Sequence, residues 1–315
     1  MSDLIANTPY DDVYRTMFCC CHELIYPLIN EVFGEHYTGK EKLIQRQNEH
    51  FDLHQDGSED KRITDSVVDI VGDTVKKYHC ECQSEADNTI AIRMFQYGTE
   101  IAVEEAKLTY DGLNVEIPNA AVIFLRCNDN TSDRLMIHVK SPDGAEISYP
   151  IHVLKIKDYT IDELFEKELY ILIPFYLFNL EKDFALYDSN EQKRWDLFDL
   201  LIEMRTRLEQ LAEDGRLNTY NQCMVRDMTN KVAQNLTRKY GKVQKGIGDI
   251  MGGKVIDLEI TQIRDESIEQ ANLSSIKKMM KNLNLSESEA MNALELPETE
   301  KKKYSSMLLE QDIAK

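Results

Sequence analysis

The chain has no stretch long and apolar enough to be read as a membrane helix. Its longest apolar run, Leu169 to Leu180, is about a dozen residues and holds Pro174, against the ~20 that a spanning helix needs. The N-terminus, Met1-Ser2-Asp3-Leu4-Ile5, lacks a basic stretch followed by an apolar core, so no secretory leader and no membrane partner are expected, and a cytoplasmic location is. Positive charge is scarce. There are 37 Lys and Arg against 56 Asp and Glu, a formal charge of −19, which excludes a surface that coats an anionic polymer as a whole. Any contact with nucleic acid must come from a local basic patch or a metal ion. The seven cysteines are an odd set that includes Cys19-Cys20-Cys21, which fits a reducing compartment better than a disulfide framework. No Gly-x-Ser-x-Gly occurs and Cys127 has no assignable partner, so neither a serine nor a cysteine hydrolase is supported. Apolar residues, in contrast, make up 42% of 315, enough to bury a core and to exclude a disordered chain.

The punctuation of the sequence divides it into elements. Thr8-Pro9 with Asp11 and Asp12 predicts a helix start, and the apolar positions Val13, Met17, Cys20, Leu24, Leu28 and Val32 carry the helix to Gly34, kinked or divided at Pro27. Beyond Gly39 the period changes: Leu43 to Leu53, Ile63 to Val71 and Val75 to Gln83 predict a three-strand meander with a polar loop at 55–61. Asn88 opens a helix to about Ala106 with Ile90, Met94, Tyr97, Ile101 and Ala102 on one stripe. The run Ala120 to Arg126 predicts a strand buried on both faces, and Leu135 to Val139 and Ile147 to Lys157 add strands around the turn Pro142-Asp143-Gly144. From Thr160 the text is helical, with capping boxes at Thr160/Glu163 and Ser286/Glu289 and a cap at Asn190. The glycines between Gly241 and Gly253 predict a linker, followed by a charged tail whose Met280, Leu283, Leu285, Met291, Leu294 and Leu296 suit a small helical hairpin broken at Pro297.

The chemistry concentrates between Arg62 and Glu85. A tight turn centred on Asp73 places residues i and 146−i opposite one another, so that Asp65 faces Glu81 and Asp69 faces Lys77. The period of two puts Glu81 and Gln83 on one face and Tyr78, Cys80 and Cys82 on the other. Two opposed carboxylates repel unless something offsets their charge, and a divalent cation is the simplest answer. Mg²⁺ takes hard oxygen ligands, and the backbone carbonyl of Cys82 is a third oxygen within reach. Asp69 competes with Asp65 but is the weaker candidate because it faces Lys77. A solvated face bearing a few acids is the plainer alternative. A zinc reading of His79-Cys80-Glu81-Cys82 is disfavoured, since alternation separates His79 from the cysteines.

The order helix, three strands, helix, strand, the step Thr64-Asp65-Ser66, the run Tyr78 to Ser84 (YHCECQS) and the run Ile92 to Tyr97 (IRMFQY) together resemble the recombination-promoting nuclease/transposase family of the PD-(D/E)XK nuclease superfamily. The opening from Pro9 and the segment Asn48-Glu49-His50-Phe51 are similar to the same family's bacterial members. The resemblance covers about the first 180 residues well, and the part up to about Gly253 moderately. It implies an α/β fold with a restriction-endonuclease-like core and an all-helical C-terminal extension. It further implies Mg²⁺-dependent hydrolysis of DNA phosphodiesters with little sequence specificity, Mn²⁺ serving as a substitute. Asp65 and Glu81 stand where the metal-binding acids stand. Gln83 takes the place of the superfamily's usual lysine, a departure that matches this branch, and would position the attacking water. Glu49 corresponds to an extra acid beside the metal in some members, and Arg93 and Tyr97 look like the family's arginine and tyrosine.

DNA, the implied partner, needs cations. Lys231, Arg238, Lys242 and Lys245 fall on one broad face if they share a helix, and such a face follows a phosphate backbone without reading bases. The expected organisation is a nuclease-like domain over 1–180, a helical region packed on or next to it over 181–253, and a charged helical tail over 254–315. The helical C-terminal part is the candidate surface for a homo-oligomer or a protein partner. The alternative function is a nuclease-fold protein that no longer cuts and serves as a binding or regulatory module.

Overall fold

The computed structural model describes residues 8–46, 49–53, 59–63, 66–85, 89–104, 106–128, 131–252, 272–273, 275–281, 285–294 and 296–313, the side chains of 49–53, 59–63, 298–299 and 309–313 excepted. It divides into two compact units, Met1–Gly253 and Lys254–Lys315. Among the described residues no helix is long and apolar enough to cross a membrane.

The first unit is α/β, built on a mixed six-stranded sheet. Its strands are β1 (Lys42–Gln45), β4 (Ser66–Val71), β5 (Val75–Gln83), β8 (Asn119–Phe124), β10 (Glu146–Lys155) and β9 (Arg134–Lys140), in that spatial order. β1, β4 and β5 run antiparallel, β5, β8 and β10 run parallel, and β9 returns antiparallel on the edge. Helix α3 (Ile90–Glu104) makes the crossover from β5 to β8, as a parallel pair requires. Two short ladders lie outside this sheet: β2 (Glu49–Leu53) with β3 (Glu59–Ile63), and β6 (Lys107–Leu108) with β7 (Leu113–Asn114). The meander therefore carries an inserted hairpin. The segment 43–53 is two strands rather than one, and part of the expected polar loop is β3. Pairing with β4 ends where the Arg46 amide bonds Val67, and the polar text beyond it has no apolar alternation to keep it on the sheet.

The first helix is divided, upstream of where Pro27 suggested. Helix α1 (Pro9–Cys20) has the Thr8–Asp11 capping box and ends at Cys21; a 3₁₀ turn, His22–Leu24, leads into α2 (Ile25–Phe33). Pro27 lies in the first turn of α2, where its missing N–H breaks no bond. Gly34 closes α2 at φ 68°, a left-handed conformation that glycine adopts without strain. The apolar run is a buried 3₁₀ helix, Tyr170–Asp183, around Pro174. Around it stand α4 (Ile161–Glu166), α5 (Phe184–Ser189), α6 (Glu191–Glu213), α7 (Thr219–Leu236) and α8 (Gly241–Met251). Thr160 with Glu163 boxes α4, and Asn190 caps α6.

Helix α8 overturns the expected linker. Val243, Ile247 and Met251 are buried, and α8 packs against α5, α6 and α7. The amides of Gln234 and Gln244 each donate to the other residue's backbone carbonyl, fastening α7 to α8. Glycine here serves approach rather than flexibility: a Cβ on Gly246 would lie 1.9 Å from Cζ of Phe198 in α6.

In the second unit, Leu273, Ile276, Ala290, Met291, Leu296, Tyr304 and Leu308 form one core, with Met280, Leu285 and Leu294 against it. Leu273 and Ile276 come from the helical residues 272–273 and 275–281, Ala290 and Met291 from helix Glu287–Ala293, Tyr304 and Leu308 from helix Glu298–Ile313, and Leu296 from the segment between the last two. The unit is thus more than the expected hairpin; Leu283 lies outside the described residues.

Two outcomes are expected. Gly246→Ala should lower stability by about 1–3 kcal/mol through overpacking against Phe198, instead of the gain of about 1 kcal/mol that alanine brings to an open helix; urea unfolding that shows a gain would place α8 away from α6. A chain ending at Gly253 should unfold cooperatively, while one ending at Tyr240, stripped of α8, should lose cooperativity in the same measurement.

Candidate functional site

The β4–β5 ladder runs from Val71↔Val75 through Asp69↔Lys77 to Ser66↔Cys80, every pair summing to 146, which is the register expected for a turn centred on Asp73. Its two faces differ. Tyr78, Cys80 and Cys82 point to one, where Phe33 of α2 meets Tyr78 with ring centroids 4.9 Å apart. Burial, and secondarily the charge of Glu81, pushes the Cys80 thiol up to about 12.

The other face carries Asp69, His79, Glu81 and Gln83 beneath α3. It is not a solvated face. Glu81 is 3% exposed, Asp69 3% and His79 0%, in a layer filled by Ile90, Met94, Ala120, Val122, Phe124 and Ile151. Carboxylates this deep are tolerated only with hydrogen-bonded partners. Glu81 Oε1 lies 2.9 Å from His79 Nε2. Asp69 Oδ2 accepts from the Arg46 guanidinium, at 2.9 Å from Nε and also from Nη2. Arg93 Nη2 donates to Gln83 Oε1, and one turn along α3 the Tyr97 ring stands edge-on to His79, centroids 6.0 Å apart. Asp69 Oδ1 and His79 Nδ1 are buried and have no hydrogen-bond partner among the described residues.

The open end of this face is tied down at the ends of β5 and β8. Arg126 donates to the Ser84 carbonyl at 2.9 Å, grips Glu181 with two nitrogens at 2.6 and 2.8 Å, and stacks over Phe178. The start of α1 reaches the same end, with Thr8 Oγ1 donating to Ser84 Oγ at 3.4 Å. There the Asp11 carboxyl is held above its ordinary range, mainly by burial; the Thr8 bonds oppose this and the charge of Glu81 adds to it.

Of the residues expected in the site, Glu81, Gln83, Arg93 and Tyr97 meet on this face. Asp65 lies outside the described residues, as does the side chain of Glu49, and Glu49 opens β2 in the separate hairpin rather than a strand of the main sheet. Cys82 is buried on the opposite face, in the stretch of β5 paired with Ile123 of β8. Among the described residues no group of three or more His, Cys, Asp or Glu is disposed to hold a metal ion. The four expected cations do not share a helix. Lys231 is in α7, Arg238 follows it, and Lys242 and Lys245 are in α8; α7 stops at Leu236, where the Thr237 hydroxyl bonds the Ala233 carbonyl. All four side chains are exposed.

Two partnerships escaped the sequence reading. His79 and Glu81 share a face by the alternation that joined Glu81 to Gln83, so that contact was legible. Arg46 reaches Asp69 only because β1 pairs with β4, which local spacing does not reveal. A separate cleft of about 970 Å³ lies beside α2 and the start of α7, but its acids are engaged: Glu31 by Lys167 and Tyr159, Glu35 by Lys76 and Tyr78, Glu23 by Asn218 and Asn221.

No family model matches the chain, and neither a curated protein nor a solved structure does.

The Arg46–Asp69 pair gives a direct test of how this face is stabilised. Arg46→Met, which leaves a buried carboxylate without its cation, should cost about 3 kcal/mol, and adding Asp69→Leu should return most of that loss. Denaturant unfolding of both singles and the double checks it; purely additive losses would mean that the two side chains do not depend on one another.

Proposed function

We propose that this protein is a metal-dependent deoxyribonuclease with a PD-(D/E)XK-type core, of the recombination-promoting nuclease/transposase kind, cutting DNA with little sequence preference. The observation that carries the reading is Glu81, a carboxylate 3% exposed on a central strand between β4 and β8; Asp65, its expected partner, lies outside the described residues. The donor set fits Mg²⁺ or Mn²⁺, since Glu81, Asp65 and the Cys82 carbonyl are all hard oxygen donors. Glu49, in the separate β2–β3 hairpin, is the further acid that the resemblance adds. When bound, such an ion lowers the pKa of a coordinated water and offsets the negative charge that develops on phosphorus.

The chain's own groups do the rest. Glu81 supplies a carboxylate to the site from β5. Gln83 has its oxygen engaged by Arg93, so it meets a water or a phosphate oxygen with its N–H donors and takes no proton. That division makes Gln83 a residue that holds the nucleophile and not its base. Arg238, Lys242 and Lys245, exposed around the α7–α8 corner, together with Lys231, supply sequence-independent phosphate contacts on an otherwise acidic protein.

A plasmid-nicking assay with Mg²⁺ or with chelator tests the reading. The parent should cut only with metal, and Asp65→Ala and Glu81→Ala should each lower the rate by about 100-fold or more. Gln83→Lys should keep or raise the rate, and Gln83→Ala should lower it with little change in metal affinity. A parent silent with both Mg²⁺ and Mn²⁺ would remove the enzyme reading and leave a binding or regulatory module with a nuclease fold.

A further inference from the structure

The buried neighbour of Glu81 is a histidine that the proposed chemistry does not use. His79 is 0% exposed, sits two residues from Glu81 on the same strand face, and bonds it at 2.9 Å. A carboxylate that binds a cation is ionised and only accepts, so in that state the proton of this bond sits on Nε2. The ring itself is confined. It lies between Ala120 of the paired strand β8 and Val67 across the ladder, and the Tyr97 ring closes on it edge-on at 6.0 Å and 68°. A glutamate has three rotatable bonds, and one fixed N–H on Oε1 sets the plane of its carboxylate and with it the direction of the second oxygen. Tyr97 follows Arg93 by one turn, so a single helix steadies both residues that β5 contributes: Gln83 directly, and Glu81 through His79.

We infer that His79 is a positioning residue for Glu81, aiming its carboxylate at the cation, an assignment that rests on the nuclease reading above. Its part is orientation, through the Nε2–H bond, and not contact with substrate. Partners of this kind, which hold a ligand from behind, typically govern 10–100-fold in metal affinity.

Titration calorimetry with Mn²⁺, on the full chain, tests this with two variants. His79→Leu keeps bulk and removes the donor; His79→Gln restores an N–H donor on a flexible stem. The parent should bind, His79→Leu should bind about 10–100-fold more weakly, and His79→Gln should recover to within about threefold of the parent. Equal binding by parent and His79→Leu overturns the inference alone, and so does a His79→Gln variant as weak as His79→Leu, which would mean that the ring matters only as packing. A parent that binds no Mn²⁺ defeats the nuclease reading and this inference with it. A readout free of metal guards against variants that fail to fold: in the nitrogen-15 spectrum of the metal-free parent His79 should show its proton on Nε2, and Glu81→Gln should move that signal. A signal that stays in place overturns the assignment.

Discussion

A carboxylate held inside a covered sheet face is the constraint on which the rest of this structure depends. Glu81 sits 3% exposed on β5, between β4 and β8, on the face that α3 covers. Burial of that kind favours polar groups that find partners. The face accordingly holds three polar pairs, Asp69 with Arg46, Glu81 with His79 and Gln83 with Arg93, while Asp69 Oδ1 and His79 Nδ1 have no partner among the described residues. Apolar residues of α3, β8 and β10 fill the space between them. The Arg46–Asp69 pair forms because β1 pairs with β4, and the Gln83–Arg93 pair because α3 packs back over β5, so these two depend on the fold.

The two faces of the sheet consequently have different roles. The face that carries Tyr78, Cys80 and Cys82 is packed by aromatic and aliphatic groups, and both cysteines are buried there. The face beneath α3 keeps the polar chemistry, and the ends of β5 and β8 are anchored where it opens. Arg126 ties Ser84 to Glu181, and the capped start of α1 comes to Ser84 as well. The C-terminal helices of the first unit complete the core rather than hang from it. Residues that read as a flexible joint are the small residues that let α8 lie flush against Phe198.

How far the sequence was legible follows from the range of the interactions involved. Caps act over three residues, and Thr8, Thr160, Asn190 and Ser286 all stand where their spacing to the next acid or amide indicates. The β4–β5 register was also legible, because a tight turn leaves one way to fold a ribbon back on itself. The reading faltered where local text is ambiguous and distant packing decides. Gly241 to Gly253 has a linker's composition, and only the neighbouring Phe198 explains Gly246. Lys231 to Lys245 has helical spacing throughout, yet α7 is capped at Thr237 and the Tyr240 amide turns back to the Thr237 carbonyl before α8 begins. The burial of Glu81 is the instructive case. Its alternation was readable, but no pattern within β5 tells that α3 covers the acidic side as fully as α2 and its neighbours cover the other. In the candidate site, Glu81, Gln83, Arg93 and Tyr97 lie on one face of the fold, with His79 and Arg46 beside them.

The central claim is that Glu81 is buried in order to hold a cation. Anomalous diffraction at the manganese edge, from crystals of the full chain grown with Mn²⁺, measures this most directly. The account predicts a peak about 2.0–2.3 Å from an oxygen of Glu81 and from an oxygen of Asp65, with the His79 bond to Glu81 kept. A well-ordered crystal with no peak at Glu81, or with manganese bound only elsewhere on the protein, would contradict it.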